Sequence, residues 1–267
     1  IVDRQEASYG ARVLPRYRYD LAQMIVSFAA DFLGTWISPV EFTKGFTKNR
    51  KVSDKNKKMS KLVVFESAFT VTGSNSDERG FTRPEDLASV AYAVTHELAK
   101  LGVGSMDETL KGFSAEAVSQ KTGVSAELIK ATAKELSEHK GKSLIVAGSP
   151  QSLSQNALSL QVAVNHLNSV LQNDGVTVDH SVSPSSQSQG SYSDVAKLVK
   201  EMGDGHVDAL FIYRANPGYN LPESLGFKEA AKKVGLIVNF SDRADETADI
   251  ADFICPDNHA LESWSDA

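Results

Sequence analysis

Short apolar runs alternate with longer stretches of helical periodicity along most of the chain. The apolar runs are flanked by polar turns, a pattern typical of strands buried in a parallel sheet. They lie at residues 24–28, 62–65, 143–147, 209–213 and 236–239. Apolar residues at helical spacing predict helices over residues 39–46, 84–101, 114–122, 125–140, 158–171, 192–202 and 227–233. Strands that alternate with helices predict an α/β fold, with parallel sheets covered by helices on both faces.

One part of this pattern occurs twice. Residues 236–256 (LIVNFSDRADETADIADFICP) and 62–77 (LVVFESAFTVTGSNSD) each contain a strand, a polar turn, a threonine and an aspartate five residues after that threonine. A strand-plus-loop segment precedes each copy, at 209–222 and at 24–39. The repeat predicts two similar parallel-sheet α/β sandwich domains of the dinucleotide-binding kind. Such paired sheets can hold a long ligand or a large partner.

The two copies also suggest how the chain is divided. We assign residues 1–112 to the first domain, 113–141 to helices that bridge the two sheets, and 142–267 to the second domain. The sequence starts at Ile1 and stops at Ala267, both within the repeating pattern. We therefore expect it to be a fragment of a longer polypeptide.

Composition excludes several classes of protein. A hydrophobic content of 41% and a charged content of 23% are ordinary for a globular chain, and a net charge of −6 argues against nucleic-acid binding. No apolar run approaches the ~20 residues that span a bilayer. The single cysteine, Cys255, excludes an internal disulfide and any cysteine-based iron–sulfur or zinc site within these residues. The six histidines show no metal-binding spacing, so no metal site is predicted.

Familiar catalytic motifs are also missing. The glycines at 102 and 104 follow a predicted helix instead of opening one, so they do not form a dinucleotide fingerprint. Residues 179–181 (DHS) contain the residue types of a catalytic triad, but triads are assembled in space and seldom from sequence neighbours. No catalytic residue is predicted.

Two features could instead carry binding. Residues 44–61 hold eight basic residues against one acid, Asp54, which indicates either a solvated face or a surface that docks an acidic partner. The carboxyl ends of the strands are the second feature, because ligands of open α/β sheets bind there. These ends are polar and rich in small residues, which suits either contact with a nucleotide phosphate or simple capping of the strands. They lie at residues 29–31, 66–69, 147–151, 214–217 and 240–243.

These strand ends resemble those of the molybdopterin oxidoreductase (dimethyl sulfoxide reductase) superfamily from about residue 24 onward. Residues 214–222 (RANPGYNLP) are similar to its Gly-x-Asn-Pro…Pro loop. Residues 247–256 (TADIADFICP) are similar to its Thr-Ala…Ala-Asp-Val-Val-Leu-Pro segment, and Glu262 matches the Glu that follows. Residues 173–175 (NDG) stand where the family has Gly-Asn-x-Gly. The resemblance implies a cofactor-binding role for Asp31, Glu66, Asp86, Asn216 and Thr247.

The first copy departs from the family pattern. Asp31 replaces the Asn of the first Gly-x-Asn-Pro loop, and residues 66–68 (ESA) replace Asp-Pro-Arg. Residues 83–86 (RPED) replace Arg-Pro-Gly-Thr-Asp and lose the glycine. In the family these loops hold the guanosine ends of the pterin cofactor. Their loss of an arginine and a glycine removes a phosphate-compatible cation and a close backbone approach. A second interpretation of the five positions is therefore that they are vestigial.

Several phrases resemble one branch of the superfamily. Residues 30–36 (ADFLGTW), 65–67 (FES), 72–79 (TGSNSDER) and 262–264 (ESW) are similar to the iron–sulfur subunit of alternative complex III, a bacterial membrane-bound quinol-oxidising complex. There, a molybdopterin-oxidoreductase-like domain without molybdenum is fused to an iron–sulfur domain. The resemblance implies a non-catalytic scaffold on the periplasmic side of the inner membrane. Its partners would be the other subunits of the complex and the iron–sulfur domain of the same chain, with the iron–sulfur clusters elsewhere in the full chain.

Two rival interpretations stay open. The chain could be the cofactor-binding fragment of an active oxidoreductase that holds molybdopterin guanine dinucleotide. It could also be an unrelated α/β domain that binds a small ligand.

Overall fold

The chain divides into two compact units, Ile1–Ser186 and Gln187–Ala267. The computed structural model describes residues 8–10, 14–54, 57–148, 152, 154–181 and 190–264. Lys55 of the basic run and residues 149–151 of one predicted strand-end loop lie outside the described residues.

The first unit is built on a four-stranded parallel sheet in the order β4-β3-β2-β5, beside a small antiparallel pair, β1 and β6. The strands are β1 (Arg16–Tyr17), β2 (Met24–Phe28), β3 (Lys61–Glu66), β4 (Glu78–Phe81), β5 (Ser143–Ala147) and β6 (Val178–Asp179). The residues of β2 and β5 are wholly buried, as the continuous apolar runs predict for central parallel strands.

Helices cover both faces of this sheet. They are α1 (Pro39–Arg50), α2 (Val71–Ser74), α3 (Leu87–Lys100), α4 (Ala115–Thr122), α5 (Ala126–Glu138) and α6 (Ala157–Val170), with a 3₁₀ turn at Pro84–Asp86. Val26 and Phe65 pack under the helices from α3 to α6. On the other face, Ile25 and Val64 pack against α1 and the aromatic residues near the start of the chain.

The second unit contains a three-stranded parallel sheet in the order β7-β8-β9. Its strands are β7 (Ala209–Tyr213), β8 (Leu236–Ser241) and β9 (Phe253–Pro256). Its helices are α7 (Tyr192–Gly203), α8 (Pro217–Asn220) and α9 (Phe227–Ala231), with 3₁₀ turns at Glu223–Leu225, Ala248–Ile250 and Ala260–Glu262. A capping box at Ser191 and Asp194 starts α7. Apolar residues of α7 and α9 form one core with Ile212 and Ile237 of the sheet.

The predicted α/β class with parallel sheets is confirmed, but the division of the chain differs from the prediction. Strand β5 pairs residue for residue with β2, from Met24 opposite Ser143 onward, so it belongs to the first sheet and not to a second domain starting at 142. The predicted bridging helices, α4 and α5, also belong to the first unit, because their apolar residues Val118, Ile129 and Leu136 are buried in the core that contains α3. Among the described elements of the second unit, helices cover only one face of the sheet, whereas the sequence predicted both.

The basic run at 44–61 is partly neutralised within the first unit. Arg50 makes a two-pronged ion pair with Asp77, with contacts of 2.6 and 3.0 Å. The ammonium group of Lys61 contacts Glu78 at 2.6 Å and Glu135 at 2.5 Å. Arg50 thus connects α1 to the segment before β4, and Lys61 connects β3 to β4 and α5.

Candidate functional site at the strand ends

The loop after β2 is folded around its own carboxylate. Asp31 is 6% exposed, and its Oδ1 accepts hydrogen bonds from the Thr72 backbone N–H at 3.0 Å and the Thr72 hydroxyl at 2.8 Å. The Thr35 hydroxyl donates to Oδ2 at 3.3 Å. A Cβ on Gly34 would lie 2.1 Å from the same Oδ2, so the carboxylate occupies the space that this glycine leaves free.

The loop after β3 encloses a second buried carboxylate. Glu66 is 1% exposed, and Arg79 on β4 donates to it from Nε at 2.7 Å. The Thr70 hydroxyl donates to the other oxygen at 2.6 Å. A Cβ on Gly73 would lie 1.8 Å from Glu66 Oε1. As in the loop after β2, a glycine makes room for a carboxylate of the chain itself.

Helix α2 joins these two predicted site residues. Its first turn supplies the donors to Asp31 through Thr72, and Thr70, which caps the helix, donates to Glu66. Asp86 takes a different position: it ends the 3₁₀ turn before α3 and pairs with Lys121 at 3.7 Å. The structure therefore links Asp31 and Glu66 through one helix, while the side chain of Asp86 pairs with a lysine of α4.

The two predicted site residues of the second unit contact each other. The Thr247 hydroxyl donates to Asn216 Oδ1 at 2.7 Å, and the Asn216 amide donates to Glu246 at 2.8 Å. Thr247 is completely buried, whereas Asn216 is half-buried. The hydrogen bond from Asn216 lowers the pKa of the exposed Glu246 carboxyl.

The same threonine bridge occurs in both units. Thr72 donates to Asp31 as Thr247 donates to Asn216, at 2.8 and 2.7 Å. In each unit the threonine hydroxyl also accepts a backbone N–H from two residues beyond Asp31 or Asn216, at 3.0 Å in both cases. Each bridge ties the loop after one strand to the loop after the next.

Two further correspondences confirm that the units share one design. Asp77 accepts from the Leu62 N–H at 2.7 Å, and Asp252 accepts from the Ile237 N–H at 2.8 Å. These are the aspartates that follow the threonines by five residues in the sequence repeat. In addition, Ala29, directly after β2, and Arg214, directly after β7, both adopt a left-handed backbone, with φ of 55° and 49°. Strain of this kind is retained where the surrounding loop enforces it.

The units differ at the position of Glu66. The matching residue of the second unit is Ser241, and the residue that matches Gly73 is Ala248. The small serine leaves room for the Cβ of the alanine, whereas the glutamate requires a glycine. The carboxylate and its glycine are therefore a matched pair that only the first unit has.

A cavity of about 410 Å³ opens at the strand ends of the second unit. Its lining includes Arg214, Asn216, Ser241, Asp245 and His259. The Arg214 guanidinium is paired with Asp257 at 2.5 Å, and its hydrogen bond lowers the pKa of that carboxyl.

The described residues contain neither a metal centre nor a membrane span. Within them, no group of three or more histidine, cysteine, aspartate or glutamate side chains could hold a metal ion. In the part of the chain that the structure describes, no helix combines the length and the apolar character needed to cross a bilayer.

Comparison with known proteins finds similarity both to a curated protein and to solved structures. The menaquinone reductase molybdopterin-binding-like subunit of Nitratidesulfovibrio vulgaris is 25% identical over 268 aligned residues, which cover 94% of this chain and 38% of that protein. Acetylene hydratase from Pelobacter acetylenicus, a molybdopterin oxidoreductase fold, matches with a TM-score of 0.68 and 14% identity over 98% of this chain and 44% of the other. The chain is related to molybdopterin-oxidoreductase-like proteins. It spans less than half the length of each of these two proteins, and no protein-family model matches it.

The strand ends of the first unit do not fit the family's cofactor. A pterin dinucleotide brings a negatively charged pyrophosphate, which binds to backbone N–H groups and cations. Here the Thr72 N–H donates to Asp31 and Arg79 donates to Glu66. A backbone N–H and a cation that could bind a pyrophosphate are therefore already hydrogen-bonded to carboxylates of the chain. In the second unit, Asn216 lines an open cavity, and its side-chain amide is hydrogen-bonded to Thr247 and Glu246.

Sequence reasoning named the two carboxylates of the first unit but missed the groups that hold them. Thr70, Thr72 and Arg79 were not predicted as site residues. The five-residue spacing from Thr72 to Asp77, shared with Thr247 to Asp252, was the available signal for the threonine bridge. Nothing in the sequence indicated that Arg79 would reach Glu66, because that contact depends on the pairing of β3 with β4.

Proposed function

We propose that this chain is the molybdopterin-oxidoreductase-like domain of an iron–sulfur subunit in a membrane-bound quinone-reactive electron-transfer complex. In this proposal it is a non-catalytic scaffold without a molybdenum cofactor. It holds partner subunits and the iron–sulfur domain of its own longer chain in place, while electrons pass through clusters outside these residues.

The observation that carries the proposal is the pair of carboxylates in the first unit. Asp31 and Glu66 fill the spaces beside Gly34 and Gly73, and donors of the same unit satisfy them. A buried carboxylate opposes a phosphate in the same place, because like charges repel strongly where water is excluded. The loops are thus stabilised by their own side chains in the way that a bound anion would stabilise them.

The relative supports the placement in a quinone-reactive complex. It is named as a molybdopterin-binding-like subunit of a menaquinone reductase, and its alignment covers both units of this chain. We extend the proposal to a location on the periplasmic side of the membrane. Protease treatment of spheroplasts tests that location: digestion of the protein without lysis is expected, and protection until lysis would contradict it.

The test of the scaffold is the cofactor content of the purified full-length protein. Molybdenum by mass spectrometry and pterin by fluorescence after oxidation are expected far below one per chain, while iron is present. An active molybdopterin oxidoreductase purified from the same cells is the control that shows cofactor is available. Stoichiometric molybdenum and pterin would refute the scaffold.

The second candidate is an active oxidoreductase fragment that holds molybdopterin guanine dinucleotide. The cavity of about 410 Å³ beside Asn216 in the second unit favours it. In that case pterin is present, and Asn216→Ala lowers its content while Asn75→Ala, an exposed asparagine of the first unit, leaves it unchanged. Absence of pterin in the unaltered protein eliminates this candidate.

A further inference from the structure

One face of the second sheet is apolar and uncovered. Phe211, Tyr213 and Phe253 are 65%, 63% and 62% exposed, and they share this face with Val238 and Phe240 according to the register of the three strands. The rings of Tyr213 and Phe240 lie 6.5 Å apart on it. Parallel sheets are normally buried on both faces, and exposed aromatic patches of this kind mark contact surfaces.

The helices of the second unit cannot supply the cover, because they occupy the opposite face. Helices α7 and α9 form their core with Ile212 and Ile237, which alternate with the exposed residues along β7 and β8. Within residues 190–264, no described helix packs on the aromatic face.

The first unit shows how the matching face is covered. By the spacing of the repeat, Phe211 and Tyr213 correspond to Val26 and Phe28, and Phe240 corresponds to Phe65. Val26, Phe28 and Phe65 are completely buried, in the core to which α3 contributes Leu87 and Val94. That helix follows β4 in the chain.

The second unit contains the beginning of the same arrangement. After β4, a 3₁₀ turn at Pro84–Asp86 leads into α3; after β9, a 3₁₀ turn occurs at Ala260–Glu262. In the second unit the backbone is extended at Ser263, directly after this turn, so a helix that corresponds to α3 would begin later in the polypeptide. The two matched proteins, of which this chain spans 38% and 44%, are long enough to contain such a segment.

We propose that the face formed by Phe211, Tyr213 and Phe253 is the docking surface for an amphipathic helix of the same polypeptide, located after residue 267. The helix corresponds to α3 and presents apolar residues to the sheet. The second unit reaches its full stability only when that helix is in place.

The experiment is hydroxyl-radical footprinting of the isolated full-length protein without partner subunits. Oxidation rates follow exposed area, so burial of Tyr213 from 63% exposed to about a tenth of its area would lower its rate roughly sixfold. Tyr219 is the matched control, since it lies in the same unit and is 73% exposed. A photo-reactive amino acid in place of Phe211 identifies the occupant, with the same substitution at Tyr219 as its control.

We expect slow oxidation of Phe211, Tyr213 and Phe253 and a crosslink to a peptide beyond residue 267. Oxidation of Tyr213 as fast as that of Tyr219 in the isolated chain would overturn the proposal. Protection that appears only after partner subunits are added, or a crosslink to a second copy, would also overturn it, because the occupant would then be another molecule.

Discussion

Replacement of Gly73 by alanine tests whether the first unit is locked around Glu66. The new Cβ would lie 1.8 Å from Glu66 Oε1, so the carboxylate must move. The end of a glutamate is flexible in general, but this one is 1% exposed and held by Arg79 at 2.7 Å and Thr70 at 2.6 Å. Movement therefore breaks buried hydrogen bonds.

The expected cost follows from those contacts. Loss of a buried hydrogen bond to a charged group costs about 1.5–3 kcal/mol, and disruption of a buried ion pair costs about 3–5 kcal/mol. Arg79 is 27% exposed on its side chain, so water can replace part of what it loses. We expect Gly73→Ala to lower the free energy of unfolding of the first unit by about 2–4 kcal/mol.

The assay is urea unfolding of the full-length protein, read through hydrogen exchange of the β2 and β3 amides so that the first unit is measured separately. Gly112→Ala is the control: a Cβ there would meet nothing within 4 Å, and its expected effect is within about 1 kcal/mol. The double variant Glu66→Ser, Gly73→Ala reproduces the Ser241 and Ala248 pair of the second unit. It should be less destabilised than the sum of its two single variants.

Two results would refute this reasoning. If Gly73→Ala unfolded like Gly112→Ala, the carboxylate would not be held in place. If the two substitutions were additive, Glu66 and Gly73 would not be a matched pair.

Three further predictions concern both units. Asn239 is completely buried, and neither its side-chain oxygen nor its side-chain nitrogen has a hydrogen-bond partner, whereas Val64 occupies the matching position in the first unit. Asn239→Val should therefore raise the free energy of unfolding of the second unit by about 1–3 kcal/mol, and Val64→Asn should lower that of the first, both measured by hydrogen exchange. Equal exchange in Asn239→Val and the unaltered protein would show that the amide is satisfied. Thr247→Val removes the hydroxyl that donates to Asn216 and should lower the free energy of unfolding of the second unit by about 1–2 kcal/mol. Thr247→Ser keeps the hydroxyl and should be about as stable as the unaltered protein. A serine variant as unstable as the valine variant would mean that the methyl group stabilises this site and the hydroxyl does not. Burial raises the pKa of the Asp77 carboxyl, but hydrogen bonds from Arg50 and Leu62 outweigh this effect and leave the pKa lowered. The ionised carboxylate therefore stabilises the folded first unit above about pH 4, and this contribution is lost as the pH falls through the folded-state pKa. Asp77→Asn should flatten the acid side of the stability curve of the first unit, and an unchanged curve would contradict this.

Local periodicity was enough to predict most helices and strands. Strands 24–28, 143–147 and 209–213 were predicted with the bounds that the structure has. Alternation and helical spacing reflect the burial of each segment by itself, so they can be recognised without its partners. The predicted boundary at residue 142 differs from the structure for the opposite reason: β5 belongs with β2, which lies more than a hundred residues earlier, and only tertiary packing decides that pairing.

The sequence by itself determined the repeat, the α/β class and the substitution of carboxylates at Asp31 and Glu66. These depend on residue type and spacing along the chain. Tertiary structure alone decided that Thr72 and Arg79 satisfy those carboxylates, and that Gly34 and Gly73 make room for them. The physical reason is that a buried charge is stabilised only by donors within hydrogen-bond distance, and those donors arrive from neighbouring strands and loops.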